Sequence, residues 1–348
     1  MGTTEISWTD CVWNPLIGCS RVSAGCQRCY AERFAHRGLA PQHRGLTTMS
    51  KSGPRWTGEV REVLGMLAEP LKWKKPRAVF VNSMSDLFHE KVGFEYIAAV
   101  FGVMAACPQH TFIVLTKRDP RKWFEWVSIN RGCDEAAWCF HCAQCSQDES
   151  LLIPYRTATK SLYAWPLSNV VLGVSCENQA AADERVPWLL QTPAAARVVS
   201  LEPLLGPIDL SHMDVDSAGG EYCQINALTG RHTDMGRPCA DVSKLDGVIV
   251  GGESGPDARS CNLEWIRSIV RQCEEAGTKC FVKQLGARPF AERNENWCGM
   301  HPNSMHLVHS THEGLYDVGL GLKDRKGADM SEWPTDLRVR ELPWRTDR

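Results

Sequence analysis

The sequence predicts an α/β fold, a full or partial (β/α) barrel, on three observations. Short apolar runs recur along the chain, each run ends in small, polar or charged residues, and helix-like stretches lie between them. That alternation is what a parallel sheet wrapped by helices requires.

In chain order the runs are AVFVNSMSD (78–86), TFIVLTKRD (111–119), NVVLGVSCEN (169–178), ARVVSLEPL (196–204), GVIVGGESG (247–255) and KCFVKQLGA (279–287). Helices are expected over 94–107 and over 263–277, where Gly277 suits a C-cap. In barrel folds the C-terminal ends of the strands face the active site. The candidate lining is then Asn82, Ser83 and Asp86 after the first run, and Thr116 and Lys117 after the second. Ser175 and Glu177, Ser200 and Glu202, Glu253, and Lys283 with Gln284 follow from the other four. Each residue singly would serve a loop by bonding local backbone; six runs ending alike favour a pocket.

This barrel core is expected over 1–287, interrupted by loop insertions at about 128–165, which is cysteine-rich, and 211–245. From about 288 to 348 the sequence is irregular and is expected to fold back as a capping extension.

The 348 residues are 43% hydrophobic and 23% charged, a composition that supports a sizeable core. A net charge of -2 supplies no global field for nucleic acid, so such binding needs a local patch. No run of about 18 apolar residues is present to span a membrane. The N-terminus, MGTTEISWTD, lacks a signal-peptide layout, and Ile6 stands where myristoylation favours Ser or Thr. A cytoplasmic protein is expected. There, clustered thiols among the sixteen cysteines point to metal or chemistry rather than to disulfides.

Cys19, Cys26 and Cys29 are separated by gaps of six and then two residues. Four thiolates would saturate a [4Fe–4S] cluster; three leave one iron open to a cofactor. S-adenosylmethionine can chelate that iron through its amino and carboxylate groups. One electron to its sulfonium then breaks a carbon–sulfur bond and yields a 5′-deoxyadenosyl radical. The alternative is a zinc site completed by a distant residue such as His36, for which the first gap makes a poor knuckle.

The stretch NPLIGC…GCQRCYAE resembles the cluster loop of radical S-adenosylmethionine enzymes, notably the spore photoproduct lyase branch. That branch usually carries a three-residue first gap. With its longer gap, and with ISWTD, WNP, LTKRDPRKW, SLEPLLGPIDL, VIVGGESGPDAR and KQLG, the chain is similar to a phage and bacterial family of variant radical enzymes. The likeness runs from residue 5 to 287. It implies a barrel of the radical S-adenosylmethionine type and a role as isomerase, mutase or lyase. It also implies an electron donor such as flavodoxin or ferredoxin. Tyr30 is then expected beside the cluster and the strand ends around the cofactor: Ser83, Ser85 and Asp86 at its amino end, Lys117 at its carboxylate, Ser175 and Glu177 at its ribose. Asn82, Thr116 and Glu202 complete that candidate lining. The usual Gly-Gly-Glu after the second strand is absent; GGE occurs at 251–253, where Glu253 is expected to face substrate. Cys176 is a candidate hydrogen-atom donor, with an inert packed thiol as its alternative.

Cys133, Cys139, Cys142 and Cys145 form a second group, suited to structural Zn2+ or to an auxiliary iron–sulfur cluster, and Cys223 and Cys239 are candidates to complete either site. Cys107, Cys273 and Cys280 sit in apolar contexts and are expected in the core.

Basic residues alternate with tryptophan in LKWKKPR (71–77), KRDPRKWFEW (117–126) and RVRELPWR near the end. This interleaving suits phosphates and stacked bases, and equally suits solvated faces with half-buried rings. Together with the resemblance it makes a modified or damaged thymine in DNA the expected substrate, for rearrangement (DNA hypermodification) or repair. A peptide or small-metabolite substrate is the second reading, and a non-catalytic, zinc-stabilised nucleic-acid-binding protein the third.

Overall fold

The computed structural model describes residues 4, 6–121, 166–216, 222–234, 237–240, 242–255, 257–292, 305–310 and 316–345. The chain divides into two compact units, residues 1–174 with 188–197, and 175–187 with 198–348.

Seven strands form the main sheet: β1 (Cys11–Trp13), β2 (Ala78–Val81), β3 (Thr111–Thr116), β4 (Val170–Ser175), β5 (Ala196–Leu201), β6 (Gly247–Gly251) and β7 (Lys279–Gln284). Their order is β1-β2-β3-β4-β5-β6-β7. The registered pairs β1–β2, β2–β3, β3–β4, β5–β6 and β6–β7 are all parallel. A sequential parallel order with two ends belongs to a partial (β/α) barrel, the second of the two expected forms; a doubly wound sheet would reverse direction. The apolar runs are strands because both faces are covered: every residue of β4 and of β6 is buried.

All six expected runs are strands; β1 is additional. It is only three residues long, and its position comes from outside itself. Thr9 Oγ1 donates to the Ala78 carbonyl at 2.8 Å, Asp10 accepts from the Ala78 N–H at 2.7 Å, and the Asn82 N–H donates to the Trp13 carbonyl at 2.8 Å. The fully buried Trp13 ring packs against Phe112 and donates its indole N–H to the Met66 carbonyl at 2.7 Å.

Four helices concern the sites: α1 (Tyr30–His36), α2 (Phe94–Ala105), α3 (Gln179–Gln191) and α4 (Leu263–Ala276). Two of them, α2 and α4, lie where the sequence expects them. In α4, Asn262 caps the first turn by accepting from the Glu264 N–H, and Gly277 ends the helix with a left-handed φ of 66°. Helix α3 carries Pro187 within it, a residue that reads as a breaker, and opens on Asn178, whose side chain accepts from the Ala181 N–H at 3.0 Å.

Within the second unit, residues 211–245 hold a four-stranded antiparallel sheet, Met213–Asp216, Tyr222–Ile225, His232–Asp234 and Arg237–Pro238. The expectation of an irregular stretch from about 288 is corrected: Pro289–Glu292, Met305–Ser310 and Tyr316–Leu320 are strands, joined in one sheet with Cys261–Asn262. Residues 305–310, MHLVHS, gain strand form from pairing with 316–320 rather than from a long apolar run. Beyond them the chain returns along β7: Val282 N–H donates to the Val339 carbonyl and Glu341 N–H to the Cys280 carbonyl. Arg340 lies between the Phe281 and Trp333 rings, 5.1 and 5.3 Å from their centroids. Cys107, Cys273 and Cys280 are buried as expected. No helix among the described residues is long and apolar enough to cross a membrane.

Buried histidines of the first unit set its acid response. Burial holds His110, packed against Trp73 and Phe112, below its ordinary protonation range near 6.5, and His43 likewise. The unfolded chain therefore binds protons that the folded chain resists, so these histidines lower stability as pH drops below about 6.5 and contribute no pH dependence well above it. Urea midpoints at pH 7.5 and 5.5 should show this loss, and His110→Gln should shrink it; an unchanged difference would remove His110 from the account.

Candidate functional site

The three cysteines follow β1, on the loop that leads into α1, at a parallel strand's C-terminal end. The approach to Cys19 is laced to the end of β2. Asn14 Oδ1 accepts from Ser83 Oγ at 3.2 Å and from the Met84 N–H at 3.1 Å, and Ser85 Oγ donates to the Leu16 carbonyl at 2.7 Å. Gly18 then bridges to Ser85 with φ 88°, and a Cβ there would stand 2.2 Å from the Glu59 carbonyl oxygen. The hydroxyls of Ser83 and Ser85 thus hold the cysteine loop to the sheet.

Cys26 closes a short 3-10 turn and Cys29 sits at the N-cap of α1. Burial pushes the Cys19 thiol up to about 12; the Asp86 carboxylate adds to this, and Arg118 and its hydrogen bond oppose it. Burial raises Cys29 too, against the backbone N–H groups of Glu32 and Ala31. Cys29 acts electrostatically on Cys19, and Cys26 on Cys29.

Two guanidiniums flank these thiols. Arg21, on which Cys29 and Cys26 both act, forms a two-pronged pair with Glu32 at 2.8 and 2.5 Å. Glu32 is 2% exposed and also accepts from the Trp56 N–H at 2.9 Å, so it clips the loop and α1 to the hairpin of Thr47–Ser50 and Gly53–Trp56. Arg118, buried one residue beyond Lys117, reaches Cys19 Sγ at 3.7 Å, the Ser20 carbonyl at 3.1 Å and Ser20 Oγ at 2.7 Å, and pairs with Glu90. His89, fully buried, accepts the Lys91 N–H on Nδ1, so its Nε2–H faces Ser20 Oγ at 3.1 Å. The sequence reading named Lys117 and passed over Arg118; strand alternation after the buried Thr116 puts Arg118 inward.

Asp86 accepts Thr116 Oγ1 on both oxygens, at 2.8 and 2.9 Å, and the N–H groups of Lys117 and Phe88 at 3.1 and 3.0 Å. It therefore joins the ends of β2 and β3. Tyr30, 55% exposed, donates its hydroxyl to the Ser83 carbonyl at 2.6 Å. Asn82 differs from all of these. It is 4% exposed, its φ is 60°, and neither its Oδ1 nor its Nδ2 has a hydrogen-bond partner among the described residues.

In the second unit the candidate residues have protein partners. Arg185 of α3 donates to the Ser175 carbonyl at 2.6 Å and pairs with Glu177 at 3.4 Å, all three buried. Glu202 pairs with Lys283 at 3.1 Å, and Gln284 Nε2 donates to the Gly252 carbonyl at 2.8 Å. Both oxygens of Glu253 are clamped by the Arg259 guanidinium, at 2.8 and 2.9 Å. Ser200 is buried, and Cys176 is fully buried on the strand-end backbone, its N–H on the Ser200 carbonyl. The sequence reading missed Arg185 and Arg259; Arg259 stands six residues after Glu253 in VIVGGESGPDAR, the spacing that closes the clamp.

Cys133, Cys139, Cys142 and Cys145 lie outside the described residues. Cys223 and Cys239 are half-buried on the antiparallel sheet of the second unit. Among the described residues no three His, Cys, Asp or Glu side chains are grouped to hold a metal ion, and His36 bonds Thr47 Oγ1 at 3.2 Å. A single zinc needs its donors about 2.0–2.3 Å from one point. A cubane places each cysteine on a different iron, so its three thiols need not converge. The donor chemistry here, three soft thiols of one loop with N–H groups and guanidiniums to offset thiolate charge, fits a cluster.

Two substitutions test the loop's supports. Glu32→Ala leaves the Arg21 charge without its buried partner and is expected to cost about 3 kcal/mol, read as a lower urea midpoint. Gly18→Ala places a Cβ against backbone in a left-handed conformation and is expected to cost roughly 2 kcal/mol by the same measurement.

No curated protein and no solved structure matches the chain. A family model matches residues 3–314, which takes in the cysteine loop, all seven strands of the main sheet and both sets of strand-end residues. By that match the chain belongs to the family described as "Protein of unknown function (DUF5131)".

Proposed function

We propose that the chain is a radical S-adenosylmethionine enzyme, with Cys19, Cys26 and Cys29 as ligands of a [4Fe–4S] cluster. One observation carries this reading: three cysteines on the loop after β1, Cys19 facing Arg118 at 3.7 Å and Cys29 held at the first turn of α1, beside a strand end that bears the unpartnered Asn82 amide. Held by Cys19, Cys26 and Cys29, such a cluster would supply the single electron for reductive cleavage of bound S-adenosylmethionine.

The chain's own residues do the rest. Arg118 and the N–H groups of Ala31 and Glu32 offset negative charge on the sulfurs. Asn82 holds both a donor and an acceptor ready for a polar amino-acid end, at the strand terminus where ligands of parallel sheets bind. Tyr30 holds α1 to the end of β2. A flavodoxin- or ferredoxin-like donor would supply the electron. The substrate we propose is a modified or damaged thymine in DNA, rearranged or repaired after hydrogen abstraction. The support for thymine is the motif resemblance. Trp73 of the 71–77 stretch is 8% exposed, with Arg77 over its ring, so this stretch offers lysines but no stacking ring.

Protein isolated without oxygen should be brown and lose about four irons per chain on Cys26→Ala, together with all cleavage of S-adenosylmethionine. Iron-free protein, or a reduced cluster that leaves the cofactor intact with substrate DNA present, would sink the proposal. Isotope passing from labelled DNA into 5′-deoxyadenosine separates a DNA substrate from a peptide or metabolite, and colourless protein would favour the zinc-stabilised binding module. Asn82→Gly relieves the left-handed strain and removes the orphaned amide. It should raise the Tm of the cofactor-free protein and weaken S-adenosylmethionine binding at least tenfold by calorimetry; unchanged binding would take Asn82 out of the cofactor site.

A further inference from the structure

Residues 19–58 carry seven cations, six of them arginine, and a single acid, in a chain whose net charge is -2. That acid, Glu32, is buried and neutralised by Arg21. The next acid along the chain, Glu59, is held by Lys91 at 2.7 Å. Arg28, Arg37, Arg44, Lys51 and Arg55 are exposed and Arg33 half-exposed, on α1, the turns around it and the adjoining hairpin. All belong to the first unit.

Exposed rings and apolar side chains stand among these charges. Helix α1 buries Ala31, Glu32 and Ala35, which leaves Tyr30 and Phe34, one turn apart, 55% and 44% exposed. Leu39 and Met49 are 75% and 65% exposed. His36, bonded to Thr47 Oγ1, ties the helix to the hairpin, and Tyr30 is anchored through its hydroxyl. The Phe34 ring packs edge-on against the buried His43 ring, 5.9 Å between centroids, so both rings are held before anything binds.

From this we infer that α1 and the hairpin of 47–56 form the surface that binds a single-stranded stretch of nucleic acid, with Tyr30 and Phe34 as stacking platforms and the surrounding arginines on phosphates. The excess of arginine over lysine favours a phosphate backbone, which a guanidinium fork grips with two hydrogen bonds, and arginine also stacks on bases. Aromatic rings spaced along a cationic strip are how single strands are held without sequence preference. An acidic protein would satisfy the charges but would leave the aligned rings unused. The inference deepens the reading above, because it gives the nucleic-acid substrate a surface next to the cysteine loop and transfers the role from residues 71–77.

The test is fluorescence anisotropy of a labelled single-stranded oligonucleotide titrated with intact protein at several salt concentrations. Arg37→Glu, Arg44→Glu and Lys51→Glu are combined in one variant, and Lys74→Glu with Lys75→Glu form the control. The first variant should bind at least tenfold more weakly and flatten the log–log salt slope by about 2, from three lost phosphate contacts at ~0.7 each. The control should bind as the parent does. A second variant, Phe34→Ala, should weaken binding severalfold with the slope unchanged. Circular dichroism and iron content keep misfolding distinct from lost contacts. Binding indifferent to the triple reversal, or lost only in the control, would overturn the inference; so would unchanged oligonucleotide binding with slower cluster reduction by an acidic electron-transfer protein. Neither readout needs cofactor cleavage, so an iron-free protein that binds through this face refutes the radical reading alone.

Discussion

Partly burying cysteine thiols on one loop, Cys19 and Cys29 above all, is the constraint around which the first unit is arranged. Sulfur gains charge most easily where solvent or a cation can answer it, and here burial removes the solvent around Cys19 and Cys29. The surroundings oppose this only in part, through Arg118, Arg21 and the first N–H groups of α1. Each cation is itself held: Arg21 by the buried Glu32, Arg118 by Ser20 and Glu90. The same contacts tie loop, helix and hairpin together, so supporting the thiols and folding this part of the chain are largely one task.

Asp86 applies the same logic to the sheet. Its two oxygens collect a hydroxyl and two backbone N–H groups from the end of β3 and its own turn, which fixes where Lys117 and Arg118 emerge. Around this well-bonded set Asn82 is the exception, strained in its backbone and unsatisfied in its side chain. Natural chains tend to keep such exceptions where a ligand completes them. In the second unit the strand-end glutamates are already matched to cations, Glu177 to Arg185, Glu202 to Lys283 and Glu253 to Arg259.

What could be read in advance depended on whether the determinant was local. Runs such as VVLGVS and GVIVG declare themselves, because a strand buried on both faces must be apolar throughout. Strand β1 was not legible: three residues carry no period, and the bonds that place it come from Ala78 and Asn82. Pro187 concealed α3 in the same way, since a helix that tolerates proline does so through its surroundings. Among candidate residues, the cysteines and strand-end polar groups were visible by spacing. The partners Arg118, Arg185 and Arg259 were not, because a charge's partner is set by the phase of an element and by tertiary distance. At Trp73, where the sequence suited either a stacking ring or a buried one, the ring lies inside the core.

The return of the chain along β7 has a consequence for solubility. An outermost parallel strand presents a row of unpaired amides that can template the addition of a foreign strand. Here Val339 and Glu341 already occupy the main-chain groups of Val282 and Cys280, and the Arg340 guanidinium, wedged between two rings, places a charge at that rim. The molecule thus carries its own gatekeeper against intermolecular β-addition at a rim that would otherwise invite it.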